Sequence, residues 1–208
     1  MTKGELISAC LKLMFENDEQ IDTDVVSNDL NYKYKTNNIL ESINRAFIRL
    51  EQLNKLPMRS IKIDYDESND DFSQYDLNFL TNNELIEIEG IYLLEEKSYT
   101  VKSVKKIVYM PNNVIALPSL SKGYKYIIYY KSFPIVLKYT DSDIMELPYP
   151  EYICGIIPYF VKGDLYEETN ANLALLARNM FESYASDMPN VFTNTKNQEI
   201  NDVYNDWW

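Results

Sequence analysis

The spacing of apolar residues changes twice along this 208-residue chain, and the two changes constrain its fold more than any other feature. As far as Pro57, apolar residues recur every three or four positions, as on one face of a helix. From Met58 to Leu147 they alternate or cluster in β-branched and aromatic runs, which are typical of strands. Helical spacing returns after Pro148. The pattern predicts an α+β fold, with an antiparallel β-sheet or sandwich unit inserted between N- and C-terminal helices that pack as a bundle.

Three regions follow from this pattern. Residues 1–57 and 148–188 are predicted to form one helical bundle domain, and residues 58–147 an inserted antiparallel β domain. Residues 189–208 are polar and are predicted to form an extended C-terminal docking tail.

Two helices are predicted in residues 1–57, the N-terminal segment of the helical bundle domain. The first, over residues 2–16, begins at a capping box in which Thr2 and Glu5 bond each other's backbone. Its apolar stripe consists of Leu6, Ala9, Cys10, Leu13 and Met14. The second is predicted from Asn37 to Lys55, with Thr36 as its N-cap. The polar segment between the two helices, up to Lys35, is predicted to be a loop.

The middle third is predicted to hold several strands. Ile61, Ile63 and Tyr65 alternate with polar residues, which indicates a strand with one buried face. Residues 66–83 are polar and acidic and are predicted to be a loop. Further predictions are one or two strands around Gly90, a hairpin from Val104–Met110 to Val114–Leu117 with its turn at Pro111–Asn113, a strand at Tyr124–Tyr130 and a shorter strand after Pro134.

Two antiparallel helices are predicted between Leu147 and Met188. Glu151 opens the first helix, and Pro158 should kink it or end a short turn before it. Asn170 is placed to cap the second helix. The apolar side of that helix is predicted to contain Leu173, Leu176, Ala177, Met180, Phe181 and Tyr184.

The residue types needed for common active sites are missing from the sequence. The chain has no histidine, which excludes Ser-His-Asp and Cys-His triads and the usual zinc sites. Its five glycines form neither a dinucleotide fingerprint nor a phosphate loop, and its two cysteines form no C-x-x-C pair. We therefore predict no catalytic residue, no cofactor and no metal, and classify the chain as a non-enzyme.

One acidic stretch, Asp64–Asp71, resembles a calcium loop, but only loosely. Asn69 stands where a calcium loop needs glycine, and Tyr75 where it needs glutamate. Asp141 and Asp143 form a weaker pair. A solvated loop is the favoured interpretation, and a carboxylate-based hydrolase is kept as a remote alternative.

Net charge and hydropathy limit the possible partners. A net charge of −12 disfavours a protein that grips nucleic acid through its phosphates, and also disfavours acidic membranes. We predict no secretory signal and no membrane-spanning segment, since no apolar run approaches the ~20 residues that span a bilayer. Cys10 and Cys154 are predicted to be buried free thiols in a reducing compartment. A disulfide between them is the alternative interpretation.

Aromatic residues suggest contacts with other chains. The 18 tyrosines fit an assembly component, or equally a genome whose codon bias favours tyrosine. The tail ends in Tyr204, Trp207 and Trp208, which are candidate partner-docking residues because a polar segment cannot bury them locally. The alternative is that these side chains lie on the parent domain.

The C-terminal half resembles a known family. A strand ending in Ile127-Ile-Tyr-Tyr130 is followed by a short acidic segment, then by Leu147-Pro148 and Pro150-Glu151-Tyr152. Next come Ile157-Pro158-Tyr159-Phe160-Val161, Gly163-Asp-Leu-Tyr-Glu-Glu168, Asn172-Leu-Ala-Leu-Leu-Ala177 and Phe181-Glu182. This order resembles tailed-phage head–tail connector, or adaptor, proteins of the tail tubular protein A type. The resemblance covers most of the chain in layout and residues 127–184 in motif.

The resemblance implies a structural role in the virion, with assembly in the host cytoplasm. Such adaptors form a homo-oligomeric ring, commonly a dodecamer, between the portal protein and the tail proteins. Double-stranded DNA passes through the ring during genome ejection without being bound specifically, and no membrane is involved. The family has no catalytic residues to transfer to this chain.

Two other interpretations stay open. Another tail or baseplate structural protein would also be acidic and histidine-free. The β domain could instead bind a carbohydrate or receptor, with exposed tyrosines as stacking platforms.

The docking tail gives the first prediction. Deleting residues 203–208 should weaken assembly onto the portal and leave the monomer fold intact, because the deletion removes the aromatic anchors and no predicted core residue. Binding to purified portal rings and the circular dichroism spectrum measure the two effects. A variant with Asn201→Ala and Asp202→Ala keeps the aromatic residues and is the control. Unchanged portal binding after the deletion would remove the idea.

Overall fold

The structure is a computed structural model that describes residues 1–14, 30–65 and 71–189, with the backbone alone at 30–35. It is a mixed α+β fold with two antiparallel sheets, so the predicted class is confirmed at that level. The chain divides into two compact units. The helical unit comprises Met1–Leu56 and the chain from Pro134 onward, and the β unit comprises Pro57–Phe133.

The elements follow one another along the chain with the strands grouped in the middle. The helices of the described ranges are α1 Lys3–Met14, α2 Leu30–Gln52, α3 Leu77–Leu80, α4 Glu151–Cys154, α5 Ile157–Leu165 and α6 Ala171–Asp187. The strands are β1 Arg59–Ile63, β2 Phe72–Asp76, β3 Leu85–Glu95, β4 Thr100–Ser103, β5 Val108–Met110, β6 Val114–Pro118 and β7 Tyr124–Ser132.

The first helix begins as its sequence predicts. Thr2 Oγ1 accepts a hydrogen bond from the Glu5 backbone N–H at 3.2 Å, and Glu5 Oε2 accepts one from the Thr2 N–H at 2.7 Å. This is the reciprocal capping box. The buried residues of α1 include Leu6 and Cys10, as predicted, together with Lys3, Ile7 and Leu11. The buried face is therefore rotated about the helix axis from the predicted stripe, toward Ile7 and Leu11.

The second helix begins earlier than its sequence predicts. It starts at Leu30, so the predicted loop ends sooner and Thr36 lies inside the helix instead of capping it. No glycine or proline lies between Leu30 and Thr36, and the helix propensities of the intervening residues differ by only a few tenths of a kcal/mol. The N-cap prediction at Thr36 is wrong because a capping residue type does not by itself stop a helix from continuing. Residues 17–29 of the predicted loop, and residues 15–16 at the end of the first predicted helix, lie outside the described residues.

The end of α2 is a Schellman motif built on an asparagine. Asn54 has a φ of 55°, in the left-handed region, and its N–H donates to Glu51 O at 2.8 Å. The Lys55 N–H donates to Leu50 O at 2.9 Å. These bonds satisfy carbonyls that a helix end otherwise leaves unpaired, and the chain then turns toward Pro57.

One hydrophobic core joins the two ends of the chain. It is formed by α1, α2, α4, α5 and α6, and its fully buried side chains include Leu6, Cys10, Ile39, Ile43, Phe47, Leu50, Ile153, Cys154, Ile157, Val161 and Phe181. The kink predicted at Pro158 takes the form of a separate turn, α4, followed by α5 with this proline in its first turn. The Asn170 side chain accepts a hydrogen bond from the Leu173 N–H at 3.1 Å, which confirms the predicted cap of α6.

The segment that returns from the β unit packs with the helices. Asn44 of α2 holds the Leu137 backbone through two hydrogen bonds, of 2.8 and 3.0 Å. Lys3, only 2% exposed, donates from Nζ to the Asp141 carbonyl at 2.6 Å and lies 3.3 Å from the Asp143 carboxylate. The predicted boundary at residue 147 therefore differs from the division of the structure, which falls at Phe133 and Pro134.

The β unit contains two antiparallel sheets, with strand orders β1-β7-β3-β4 and β2-β6-β5. Its core consists of Ile63, Leu77, Ile91, Ile115, Leu117, Leu120, Tyr126 and Ile128. The predicted strands at β1 and β7 are confirmed, and so is the β5–β6 hairpin. Asn112 and Asn113 of its turn have φ values of 62° and 58°, which asparagine tolerates better than most residues.

Two β predictions are wrong, and a third is confirmed. The predicted loop 66–83 contains β2 and α3, because tertiary pairing with β6 overrides a polar sequence. Residues 134–138 form no strand. The prediction of one or two strands around Gly90 is confirmed as a single strand, β3, with a register shift at this glycine, where a Cβ would lie 2.7 Å from the Tyr92 ring.

The buried lysine gives the second prediction. Lys3→Met keeps the apolar stem but removes the donor to the Asp141 carbonyl, so we expect a loss of about 1–3 kcal/mol in the free energy of unfolding. The Asp143 carboxylate is 78% exposed and should contribute little to that loss. Urea unfolding measures the effect, and Lys12→Met, on the exposed side of α1, is the control. Equal stability of Lys3→Met and wild type would contradict this account.

Candidate interaction surfaces

The most distinctive surface of the helical unit is an apolar stripe on the outside of α6. We define this outer stripe as Leu173, Leu176, Met180 and Tyr184. The sequence places these residues on one apolar side of the helix with Ala177 and Phe181, and in the structure two of them are exposed. Leu176 is 58% exposed and Tyr184 is 41% exposed, while Leu173 and Met180 are half-buried.

Small residues explain why the leucines point outward. The buried face of α6 consists of Ala174, Ala177, Phe181 and Ala185. These alanines allow α6 to approach α5 closely at Gly163, where a Cβ would lie 2.6 Å from Arg178 Cγ and 3.2 Å from Ala174 O. The apolar pattern of the sequence emphasises the large side chains and does not predict this contact. The signal was present as a glycine on one helix and alanines at helical spacing on the other.

The opposite flank of α6 is held by ion pairs. Arg49 of α2 lies 2.9 Å from Glu182, and Arg178 lies 2.5 Å from Glu167 in the α5–α6 connection. Exposed pairs of this kind contribute only about 0.2–1 kcal/mol each. Because both ion pairs lie on the same flank of α6, they favour the rotation of this helix that leaves the outer stripe facing solvent.

An acidic cleft lies where α2 meets the α5–α6 connection. It has a volume of about 350 Å³ and is lined by Asn38, Glu41, Arg45, Asp164, Leu165, Glu167, Glu168 and Thr169. Arg45 pairs with Asp164 at 2.5 Å across part of its wall. In the residues that the structure describes, no group of three or more possible ligands is arranged to hold a metal ion.

Three of the acidic residues selected from sequence, Asp64, Asp141 and Asp143, have partners in the structure. Asp64 lies 2.9 Å from Lys125 Nζ, and this hydrogen bond with a second one to Glu96 raises the pKa of Lys125. Residues 66–70 of the loop lie outside the described residues. Asp141 accepts a hydrogen bond from the Lys138 backbone N–H at 2.7 Å, and Asp143 pairs with the buried lysine of α1.

The β unit presents exposed aromatic side chains. Phe79 is 81% exposed, Tyr99 80% and Tyr109 65%. A groove of about 220 Å³ lies near the β5–β6 hairpin, lined by Leu77, Leu85, Ile86, Glu87, Ile88, Tyr109, Met110, Asn113, Val114 and Ile115. Such surfaces suit stacking or docking better than chemistry, since the groove is lined mainly by apolar side chains.

The proposed docking residues Tyr204, Trp207 and Trp208 lie outside the described residues, so their role stays a prediction. None of the helices in the described ranges combines the length and the apolar content that crossing a bilayer requires. A scan against models of known protein families and a search of curated proteins both find no match to this chain.

The two cysteines give the third prediction. Both are free and buried, as predicted, and burial raises the pKa of Cys10 and raises that of Cys154 to about 11. A raised pKa means less thiolate at pH 8, so alkylation in the native state should be at least about a hundredfold slower than in urea, where both thiols titrate normally. Mass spectrometry after timed labelling measures this. Rapid native labelling at pH 8 would indicate a reactive thiol and contradict the burial of both side chains.

Proposed function

We propose that this protein is a structural subunit of a phage neck, forming a ring-shaped head–tail adaptor between the portal and the tail. Double-stranded DNA passes through the ring. The helices of the helical unit form a bundle that serves as the scaffold of each subunit. The proposal assigns no catalytic residue, cofactor or metal to the chain.

The observation that carries the proposal is the outer stripe of α6. A contiguous apolar strip exposed on one helix is a typical protein interaction surface. Leu176 and Tyr184 are the residues most available for a contact, since both are more than 40% exposed and lie on the same flank of α6. In a ring of identical subunits, each stripe is buried against the neighbouring copy.

The charge of the helical unit supports the same function. Met1–Leu56 and the chain from Pro134 contain 11 Lys and Arg against 21 Asp and Glu, a net charge of −10. An acidic wall repels phosphates, so a duplex moves along it without being trapped. Twelve such subunits would place on the order of a hundred negative charges around a channel.

The order of elements also agrees with the resemblance. Strand β7 leads through an irregular acidic segment into the turn α4, the proline-started helix α5 and the capped helix α6. The motifs that resemble the connector proteins lie in this same run, residues 127–184. In the proposal, the β unit contacts tail or outer components, and Tyr204, Trp207 and Trp208 dock onto the portal or a neighbouring subunit.

A second candidate function rests on the β unit. The exposed rings of Phe79, Tyr99 and Tyr109 are of the kind that stack on sugars. A glycan-binding screen with the purified protein tests this carbohydrate or receptor-binding function. If the wild-type protein stays monomeric and binds a glycan, and if Tyr99→Ala or Tyr109→Ala abolishes that binding, the carbohydrate-binding function would be favoured over the ring.

The ring gives the fourth prediction. Leu176→Glu should lower subunit association at least about tenfold, because it places a charge in the apolar contact. The monomer should remain folded, since this side chain is largely exposed. Native mass spectrometry and electron microscopy of the particle, alone and with a portal protein, measure mass and symmetry.

Leu175→Glu is the matched control for this prediction. Leu175 is 60% exposed and lies roughly 100° around α6 from Leu176, away from the outer stripe. Association that weakens equally in both variants would remove the outer stripe as the contact. A wild-type protein that is monomeric with and without portal would remove the proposed function.

A further inference from the structure

The chain contains one long stretch of purely positive charge. From Lys97 to Thr140 the sequence has eight lysines and no aspartate or glutamate. The whole chain has a net charge of −12, so acidic residues are concentrated elsewhere. Such separation of charge within one chain creates surfaces of opposite sign.

Part of this positive charge is neutralised within the β unit. Lys125 and Lys131 each contact two carboxylates, at distances between 2.7 and 3.3 Å. Four other lysines of the stretch lie close together in sequence and make no ion pair with any carboxylate that the structure describes. They are Lys97, Lys102, Lys105 and Lys106, which we call the lysine edge.

The lysine edge lies along the outermost strand of the four-stranded sheet. Strand β4 pairs with β3 on one side only, and all four of its residues are exposed. Lys102 is in β4, Lys97 is in the turn before it, and Lys105 and Lys106 follow in the connection to β5. The exposed Tyr99 ring in the same turn adds apolar contact area beside the charges.

Protection of an open sheet edge explains only part of this arrangement. A lysine on an edge strand discourages pairing with strands of other molecules, and Lys102 is placed to do so. Lys105 and Lys106 lie beyond the end of β4, where there is no strand edge to protect. Their exposed, unneutralised charge fits a surface that meets an acidic partner.

The helical unit of the same protein has the complementary charge. It carries a net charge of −10, whereas the β unit contains 9 basic and 11 acidic residues. Two exposed carboxylates of the acidic cleft, those of Glu41 and Glu168, make no ion pair with a described cation. A second copy of this chain therefore supplies the negatively charged surface that the lysine edge requires as a partner.

We propose that the lysine edge of one copy docks on the acidic helical unit of the next copy. A contact between two different patches is heterologous, and repetition of such a contact forms a ring when the rotation from copy to copy closes, and a filament when it does not. This proposal rests on the proposed ring function. In it, the lysine edge and the acidic helical unit are the two surfaces that determine which partner binds and in which orientation. Complementary charges act mainly on specificity and association rate, while the outer stripe of α6 supplies apolar area.

Duplex DNA is a less suitable partner for the lysine edge. Four lysines neutralise only about four phosphates, which gives weak binding that physiological salt largely removes. Each subunit would also bring its acidic helical unit toward the duplex. DNA binding is nevertheless a distinct outcome that the test below can detect.

The test is a charge swap, measured by sedimentation velocity and native mass spectrometry at low and high salt. The variant Lys97→Glu, Lys102→Glu, Lys105→Glu and Lys106→Glu should lower the association constant at least about tenfold at low salt. The pair Glu41→Lys and Glu168→Lys should also lower it. Combining both sets should restore at least part of the lost association, which a general loss of stability would not do.

The control reverses the same number of charges elsewhere, through Lys12→Glu, Lys62→Glu, Lys122→Glu and Lys138→Glu, all on exposed side chains. Circular dichroism checks that each variant is folded. An equal loss in the control, or normal rings from the lysine-edge variant, would overturn this contact and leave the ring itself intact. Loss of duplex binding with unchanged assembly would also overturn it, in favour of a DNA contact. A wild-type protein that never oligomerises would remove the proposed function and the contact together.

Discussion

The core shared by α1, α2 and α5 is the contact on which the rest of the structure depends. It joins residues from both ends of the chain, and its central side chains, such as Phe47 and Ile157, are fully buried. Burial of each such side chain contributes roughly 1.5–3 kcal/mol, compared with about 0.2–1 kcal/mol for a typical exposed ion pair. Lys3 and Asn44 add to this core the segment that follows the β unit in sequence, through hydrogen bonds to the backbone of residues 137–141.

The sequence predicts the fold best where local signals and tertiary packing agree. The Thr2–Glu5 capping box, the Asn170 cap and the turn at Pro111–Asn113 each need only a few neighbouring residues, and all three occur in the structure. The start of α2 and strand β2 were mispredicted for the opposite reason. At the start of α2 the residues have nearly equal propensities for helix and loop, and at β2 for strand and loop. Contacts with residues distant in sequence therefore determine which structure forms.

The candidate surfaces were harder to predict than the fold, because each depends on which residues the core leaves out. The leucines of α6 have the right spacing for a buried face, yet the alanines beside them allow a closer approach to Gly163 and occupy the core instead. The lysine edge is visible in the sequence as a run without acidic residues, but its significance depends on which lysines are already paired. Lys125 and Lys131 have partners across the sheet, and no periodicity in the sequence reveals that.

The division of the helical unit into two sequence segments imposes an order on its synthesis. The β unit is continuous, so it can fold as soon as Phe133 has left the ribosome. The apolar face of α2 must wait for α5, about a hundred residues later, which at roughly 5–20 residues per second is on the order of ten seconds. During that interval Phe47 and its neighbours have no native partner from the C-terminal half. A nascent chain of this design is therefore most exposed to aggregation, and most dependent on chaperones, after its middle has folded and before its last helices emerge.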